Sequence, residues 1–324
     1  NKVTLASSMT VDTLTVDGTV GQADTLNLGS SGYTLKLANA GATGTVLTVS
    51  GALTMGTSTV DFAATNSSGA VTIPALTYSS LVLSGNETYS AAGSFTVNGN
   101  LTISGGTFSA PSGTLTLGGG FDNDGVFSHN AGTVVFSASS GTQHIDAVGT
   151  GSEAFNSITF SGNATWNMDS DLTVNGTFTQ SAGTIYAPQT TLAVAGNFVR
   201  NGGTFVGNGG MVLLNGSDQT INGTTTFANL TKTVTAPRTL TFPAGETQTV
   251  TGTMTLRGAD GAVLSLRSST SGTQWKIDPQ GTRSVQYLDV KDSNNVNATK
   301  IITAGSHVTN SGNNTGWAFP PNAP

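Results

Sequence analysis

The chain has 324 residues, of which 43 are Gly, 55 are Thr and only 9% are charged. β-Branched Thr and Val alternate with Gly and Asn, residues typical of strands and turns, so the composition predicts an all-β protein with little or no helix. The absence of Cys excludes disulfides, the formal charge of −6 offers no basic patch for nucleic acid, and no run of about 18 apolar residues could span a membrane.

Residues 1–77 contain loose copies of a pattern of short strands and corners that recurs later in the chain. Leu14–Gly18 and Leu47–Gly51 both run Leu-Thr-Val and end in Gly. The segment Asn1–Ala6 is also strand-like, and it can be the first strand of the fold or a strand exchanged with a neighbouring subunit. We therefore interpret 1–77 as irregular coils of a repetitive β-structure.

Residues 78–235 carry the most regular repeat. The segment Tyr78–Asn86 returns as Phe155–Asn163, and more loosely as Phe227–Thr233. A recurring segment of this kind is typical of a solenoid, in which each unit buries its apolar face only by stacking on its neighbours.

Residues 78–235 also contain a shorter repeat, in which similar residues recur every 20 positions. It relates Leu172–Gly176, Leu192–Gly196 and Val212–Gly216. Because successive side chains of a strand point to opposite faces, the first and third residues of these segments should stack as two inward ladders. Phe178 should stack on Phe198 in the same way. A step of about 20 residues holds about three short strands and their corners, which predicts a parallel β-helix (β-solenoid), right-handed by preference, with about 16 coils.

The part of the chain between Tyr78 and Phe155 has the same 20-residue repeat. It relates Phe95–Gly99 to Leu115–Gly119 and then to Val135–Ser139, although the last segment lacks the Gly. The second residues of these segments are Thr, Thr and Phe, so the outward Thr array that an ice-binding face needs is predicted to be broken.

Two acidic residues stand close together at Asp122 and Asp124. They share one face if the chain is extended, or lie in a turn that offers Ca²⁺ an incomplete set of oxygen ligands. Both are weak candidate calcium ligands, and a simple turn next to Gly125 is the alternative. Asp146 lies near the coil spacing from Asp122, but like charges would repel and few aromatic platforms for sugars are nearby. We therefore predict no catalytic residue, no cofactor and no enzymatic activity.

Residues 236–324 differ from the repeat by their additional Arg residues and by Trp275 and Trp317. Tyr287 lies three coil lengths beyond Phe227, which favours continuation of the solenoid. We predict that this part is a closing or assembly portion of the same β-structure.

Charge is distributed unevenly along the chain. Residues 1–199 contain 11 acidic and two basic residues, whereas residues 200–324 contain nine basic and six acidic residues. Such a distribution favours association of the first part of one copy with the last part of another. Alternatively, the basic residues only solubilise a different module.

Several of these segments resemble repeats of large bacterial surface and adhesin-like proteins with the architecture of filamentous haemagglutinin: Leu172–Ile185, Gly196–Phe198, Asp218–Gly223 and Phe227–Thr231. The tail segments Tyr287–Ser293 and Ser311–Phe319 are similar to segments that close such arrays. The resemblance implies an exported structural or adhesive protein with a right-handed parallel β-helix, and it brings no catalytic residue. The short chain and the lack of a visible anchoring motif favour a subunit of an assembly.

Our leading hypothesis is an extracellular structural protein whose copies associate head to tail into a surface filament. A start at Asn1 without Met fits a mature exported form, although a shortened chain would begin in the same way. The candidate interface residues are Val3 and Leu5 in the first coils and Trp317 and Phe319 in the last. The alternatives are an adhesin or stalk fragment that binds glycans or cell surfaces, and a polysaccharide-active β-helix enzyme with a groove of acidic and aromatic residues.

Overall fold

The structure is a computed structural model of the chain. It describes residues 2–19, 22–23, 25–38, 44–65, 69–149, 154–305 and 307–319. Stacked parallel strands form a β-solenoid of about 14 turns with coils of about 21 residues, and the described residues contain no helix. The predicted fold class is confirmed. The coils are slightly longer than the predicted step, and the turns are correspondingly fewer than predicted.

The chain divides into two compact units, Asn1–Asn156 and Ser157–Pro324. The described residues of the first unit form the strands β1 Lys2–Thr4, β2 Met9–Val11, β3 Leu14–Val16, β4 Gly18–Thr19, β5 Gln22–Ala23, β6 Thr25–Asn27, β7 Thr34–Leu37, β8 Leu47–Val49, β9 Ala52–Thr54, β10 Thr59–Phe62, β11 Val71–Ile73, β12 Thr77–Tyr78, β13 Ser80–Leu83, β14 Thr88–Ala91, β15 Phe95–Val97, β16 Leu101–Ile103, β17 Thr107–Ser109, β18 Thr114–Leu117, β19 Phe121–Asn123, β20 Val126–Ser128, β21 Thr133–Phe136 and β22 Thr142–Asp146.

The described residues of the second unit form the strands β23 Ser157–Phe160, β24 Thr165–Met168, β25 Leu172–Val174, β26 Phe178–Gln180, β27 Thr184–Tyr186, β28 Thr191–Val194, β29 Phe198–Arg200, β30 Thr204–Val206, β31 Met211–Leu214, β32 Gln219–Asn222, β33 Thr225–Phe227, β34 Asn229–Thr233, β35 Arg238–Phe242, β36 Thr247–Val250, β37 Met254–Arg257, β38 Leu264–Ser268, β39 Trp275–Pro279, β40 Arg283–Gln286, β41 Leu288–Val290, β42 Ser293–Asn295, β43 Ile302–Thr303, β44 Val308–Asn310 and β45 Trp317–Ala318.

In the first unit, three parallel sheets form the walls of the regular coils, in the strand orders β2-β7-β10-β13-β16-β19-β22, β12-β15-β18-β21 and β11-β14-β17-β20. The earliest coils add the shorter sheets β1-β6-β9 and β3-β8. Strands β4 and β5 pair antiparallel and form a small hairpin beside them.

In the second unit, the longest wall has the order β23-β26-β29-β32-β35-β38-β41-β44, and a second wall has the order β25-β28-β31-β34-β37-β40. The remaining parallel sheets are β24-β27-β30, β33-β36-β39-β42 and the pair β43-β45. Each coil therefore contributes one short strand to each wall, and the side chains that point inward form the core.

The inward ladders predicted from the repeat step are present in the second unit. Leu172, Leu192 and Val212 lie opposite one another in β25, β28 and β31, and all three side chains are buried. Phe178 and Phe198 stack with parallel ring planes and a centroid distance of 4.9 Å. Each buried side chain of this size contributes about 1.5–3 kcal/mol, so these ladders are the main stabilising contact between coils.

One predicted register is wrong in the first unit. The constant step put Val135 beside Leu115, whereas the structure pairs Leu115 with Val134 and Thr116 with Val135. This coil is one residue shorter than the step, and strand alternation then turns Val134 and Phe136 inward, where both are buried. Burial of Phe136 removes more apolar area from water than burial of Val135 would, which favours the shorter coil.

Candidate assembly surfaces

The first coil has three strands that are each paired on one side only. Within the described residues, β1 pairs with β6, β2 with β7 and β3 with β8, and each of the three stands at the end of its sheet. A terminal strand presents a row of N–H and C=O groups that can pair with a further strand. The first coil can therefore accept another β-layer along all three walls.

A cavity of about 420 Å³ opens beside these strands. Its apolar lining consists of Val3, Met9, Leu14, Val16 and Leu26, with Thr and Asp side chains at its margin. Val3 is 60% exposed, the largest exposed fraction among the large hydrophobic residues that the structure describes. Val3 is thus exposed and Met9 and Leu14 are half-buried at this end of the first unit, whereas the ladder side chains of later coils are buried.

Of the two candidate residues predicted in this region, one lines the cavity. Val3 lies in its wall, whereas Leu5 is half-buried, lies outside the lining and donates its N–H to the carbonyl oxygen of Asn27 at 2.8 Å. Sequence reasoning missed Met9 and Leu14. The alternation of hydrophobic residues with Thr in β2 and β3 is the signal that could have found them.

The two candidate residues near the other end of the chain lie together in the last described coil. Trp317 pairs with buried Ile302, and its Nε1–H donates to the hydroxyl of Ser293 at 3.0 Å. The rings of Trp317 and Phe319 stack with centroids 5.8 Å apart, and both side chains are half-buried. Part of each aromatic ring therefore stays open to solvent.

A network of carboxylate and amide side chains holds this last coil. Asp292 accepts hydrogen bonds from the Asn313 side chain at 2.7 Å and from the Gly272 N–H at 3.0 Å. These bonds hold the pKa of Asp292 below its ordinary value, with the Asn313 bond as the largest cause. Asn314 accepts from the Ser293 N–H and donates to the Val290 carbonyl. These side-chain bonds add to the backbone bonds between β41 and β44, in which the Val290 carbonyl also accepts the Ser311 N–H at 2.9 Å.

The acidic residues singled out as weak calcium candidates are both exposed, one in β19 and one directly after it. Asp122 is opposite Asp146 in the next strand of the sheet, as the coil spacing suggested, and Asp124 follows β19. Burial, and then the charges of Asp124 and Asp146, raise the pKa of Asp122 above its ordinary value. Among the described residues, no three His, Asp or Glu side chains meet in a group that could hold a metal ion. Calcium binding here stays a prediction.

No family model, no curated protein and no solved structure matches the chain. Among the residues that the structure describes, none belongs to a helix able to cross a membrane. The functional interpretation therefore depends on the fold and on the two end surfaces described above.

Proposed function

We propose that this protein is an extracellular structural subunit whose copies associate head to tail into a filament. The observation that carries the proposal is the first coil, where three strands are paired on one side only beside an open apolar cavity. A solenoid coil buries its apolar face by stacking against a neighbouring coil, and a coil of a second copy can take that place.

The apolar lining of the cavity determines how much a covering coil would contribute. Val3 is exposed, and its full burial would contribute about 1.5–3 kcal/mol, whereas Met9 and Leu14 are already half-buried and would each contribute less than that. Association costs about 4–15 kcal/mol in lost translational and rotational freedom, so three side chains alone barely offset it. Backbone hydrogen bonds along β1, β2 and β3 supply the remaining stabilisation and fix the register.

The proposed partner surface is the last coil of a second copy. There, β44 is the end strand of its sheet, β45 pairs with β43, and Trp317 and Phe319 keep part of their rings exposed. The first and last coils are different surfaces, so a contact between them repeats indefinitely and produces a filament instead of a closed dimer.

Charges near the first coil disfavour contact between two first coils. Asp12 and Asp17 are exposed next to β2 and β3, and Lys2 is the one basic residue of that coil within its described part. Near the last coil, Lys291 and Lys300 are accompanied by Asp289 and Asp292, so that surface has no net negative charge to repel the first coil.

The extracellular location is also part of the proposal. The resemblance of the repeats to bacterial surface proteins supports it. Backbone ladders and buried side-chain ladders hold the fold without disulfides, so the fold is compatible with that location. Such a fold does not depend on the redox state of its surroundings.

Negative-stain electron microscopy of the purified chain tests the proposal. We expect filaments from the intact chain and their loss in a form without residues 1–8 and in the variant Val3→Asp, which places a charge in the apolar cavity. Val148→Asp is the matched control, because Val148 is 54% exposed in the same unit but outside the cavity lining. Isolated particles from the intact chain at every concentration would contradict the proposal and favour the adhesin or stalk alternative.

A further inference from the structure

A polar pocket of about 210 Å³ lies in the second unit, and none of its lining residues belongs to an end coil. One wall is the corner after β31, formed by Asn215, Gly216 and Ser217, and the other is the connection from β34 to β35, which reaches Arg238. Nothing in the proposed assembly uses this pocket, so a ligand here would bind independently of head-to-tail association.

A buried lysine lies directly behind the corner. Lys232 is fully buried in β34, and its ammonium group donates to the carbonyl oxygens of Gly216 and Ser217, both at 3.0 Å, and to Oε1 of Gln219 at 2.6 Å. These three acceptors satisfy the ammonium group. They also turn two consecutive carbonyl groups of the corner towards the interior of the coil.

The inward carbonyls fix the direction of the neighbouring N–H groups. In a planar trans peptide the N–H points opposite to the C=O, so the N–H groups of Ser217 and Asp218 point away from the Lys232 ammonium group. Ser217 lines the pocket, and Asp218 follows it directly in the chain. Neither N–H donates to a protein acceptor within the part of the chain that the structure describes. Two successive N–H groups that point the same way and have no protein acceptor can both donate to one anion.

The charges around the pocket are net positive. Arg238 lines it, and the hydrogen bond that its guanidinium makes runs to the neighbouring carbonyl of Pro237 at 3.2 Å. Asp218 is the opposing charge, and its Oδ1 already accepts the Thr239 N–H at 2.8 Å. Together with Lys232 behind the corner, two cations and one carboxylate leave one positive charge at the site.

We propose that this pocket binds a small oxyanion, either a sulfate group or the carboxylate of an acidic sugar. The N–H groups of Ser217 and Asp218 and the Arg238 guanidinium donate to its oxygens, and the hydroxyls of Ser217, Thr233 and Thr235 are further donors at the rim. Its volume suits one such group with part of the sugar ring that carries it.

Amide chemical shifts of the full chain test this site directly. The chain labelled with ¹⁵N is titrated with sodium sulfate and, separately, with sodium glucuronate, while sodium chloride keeps the ionic strength constant. We expect the Ser217 and Asp218 amide signals to shift and saturate in the millimolar range with at least one of the two salts. Saturation with sulfate alone assigns a sulfate site, and saturation with glucuronate alone assigns a carboxylate site.

Two variants identify the group that binds. Arg238→Gln should weaken the affinity roughly tenfold, the effect of losing one charge-assisted hydrogen bond. Arg283→Gln is the matched control, because Arg283 begins β40 and donates to the Gly281 carbonyl outside the pocket. Unchanged amide signals elsewhere show that each variant is folded. Shifts that stay proportional to salt concentration, or equal affinities of the wild-type and Arg238→Gln chains, would overturn the proposal.

Discussion

At the scale of single residues, buried polar side chains connect neighbouring coils through backbone carbonyls. Gln219 donates to the carbonyl oxygens of Val194 and Gly196 at 2.9 and 2.6 Å, and Gln180 donates to that of Thr204 at 2.9 Å. A buried amide without partners would cost about 1–3 kcal/mol. These side chains therefore specify which coil faces which, in addition to the apolar ladders.

Lys232 makes the stability of the fold depend on pH. Burial is the largest cause that lowers its pKa, to about 8 from an ordinary value of 10.5. Between these two pH values the unfolded chain binds the proton and the folded chain does not, so the free energy of unfolding should rise with pH. We expect a gain of up to about 3 kcal/mol between pH 8 and 10.5, measured by urea denaturation.

The variant Lys232→Met is the control for that measurement, since other groups also titrate in this range. The variant should lack the lysine component, so that the wild-type stability rises relative to the variant as the pH increases. Parallel pH profiles of the two proteins would contradict the assignment of the titration to Lys232.

Sequence reasoning could not have found this residue's role. Its place two residues after Leu230 in β34 indicates an inward side chain, but the cost of burying a charge argues against it. Three acceptors on a preceding segment of the chain make the burial possible, and they become visible only once Gly216, Ser217 and Gln219 are placed beside β34. A local sequence pattern cannot predict that a charged group is buried when its hydrogen-bond acceptors come from another segment of the chain.

At the scale of strands and corners, glycine fixes where the chain turns between walls. Gly203, between β29 and β30, has φ = 73°, and a Cβ there would lie 2.4 Å from the carbonyl oxygen of Gly183 in the corner below it. Gly183 itself has φ = 70°. These corners therefore stack closely enough to exclude a side chain, and they require a left-handed conformation as well.

Two alanine substitutions separate these requirements. Gly203→Ala combines a left-handed φ with a collision, whereas Gly209→Ala has φ = 82° and nothing within 4 Å of the new Cβ. The conformational cost of each is about 1–2 kcal/mol. In urea denaturation we expect Gly203→Ala to lose more stability than Gly209→Ala by at least about 1 kcal/mol. The difference arises because the backbone at Gly183 or Gly203 must move to make room for the new Cβ. Equal losses would show that the corners are not in close contact.

The strands show how far the sequence predicts the fold. A constant step and strand alternation were sufficient for the ladder of Leu172, Leu192 and Val212. They failed at Val135, where the coil is one residue shorter and Phe136 takes the inward position. Corner length is set by tertiary packing, so a period read from the sequence can drift by one residue and reverse the faces of a strand.

At the scale of the whole molecule, the two end coils differ in their need for a neighbour. The first coil has the apolar cavity around Val3 and Met9 and three strands paired on one side. The last coil has half-buried Trp317 and Phe319 and the hydrogen-bond network around Asp292. Sequence reasoning named Val3, Trp317 and Phe319 because they lie near the ends of the repeat. It could not define the cavity, which depends on the three-dimensional placement of the first strands.

Disulfide trapping between copies is the most direct test of head-to-tail association, because the chain has no Cys of its own. The variants Val3→Cys and Ala318→Cys each place one thiol on an exposed position of one end coil. After mild oxidation, we expect dimers in the mixture of the two variants and none from either variant alone. Dimers from one variant alone would indicate contact between identical ends, and a mixture that stays monomeric would contradict head-to-tail association.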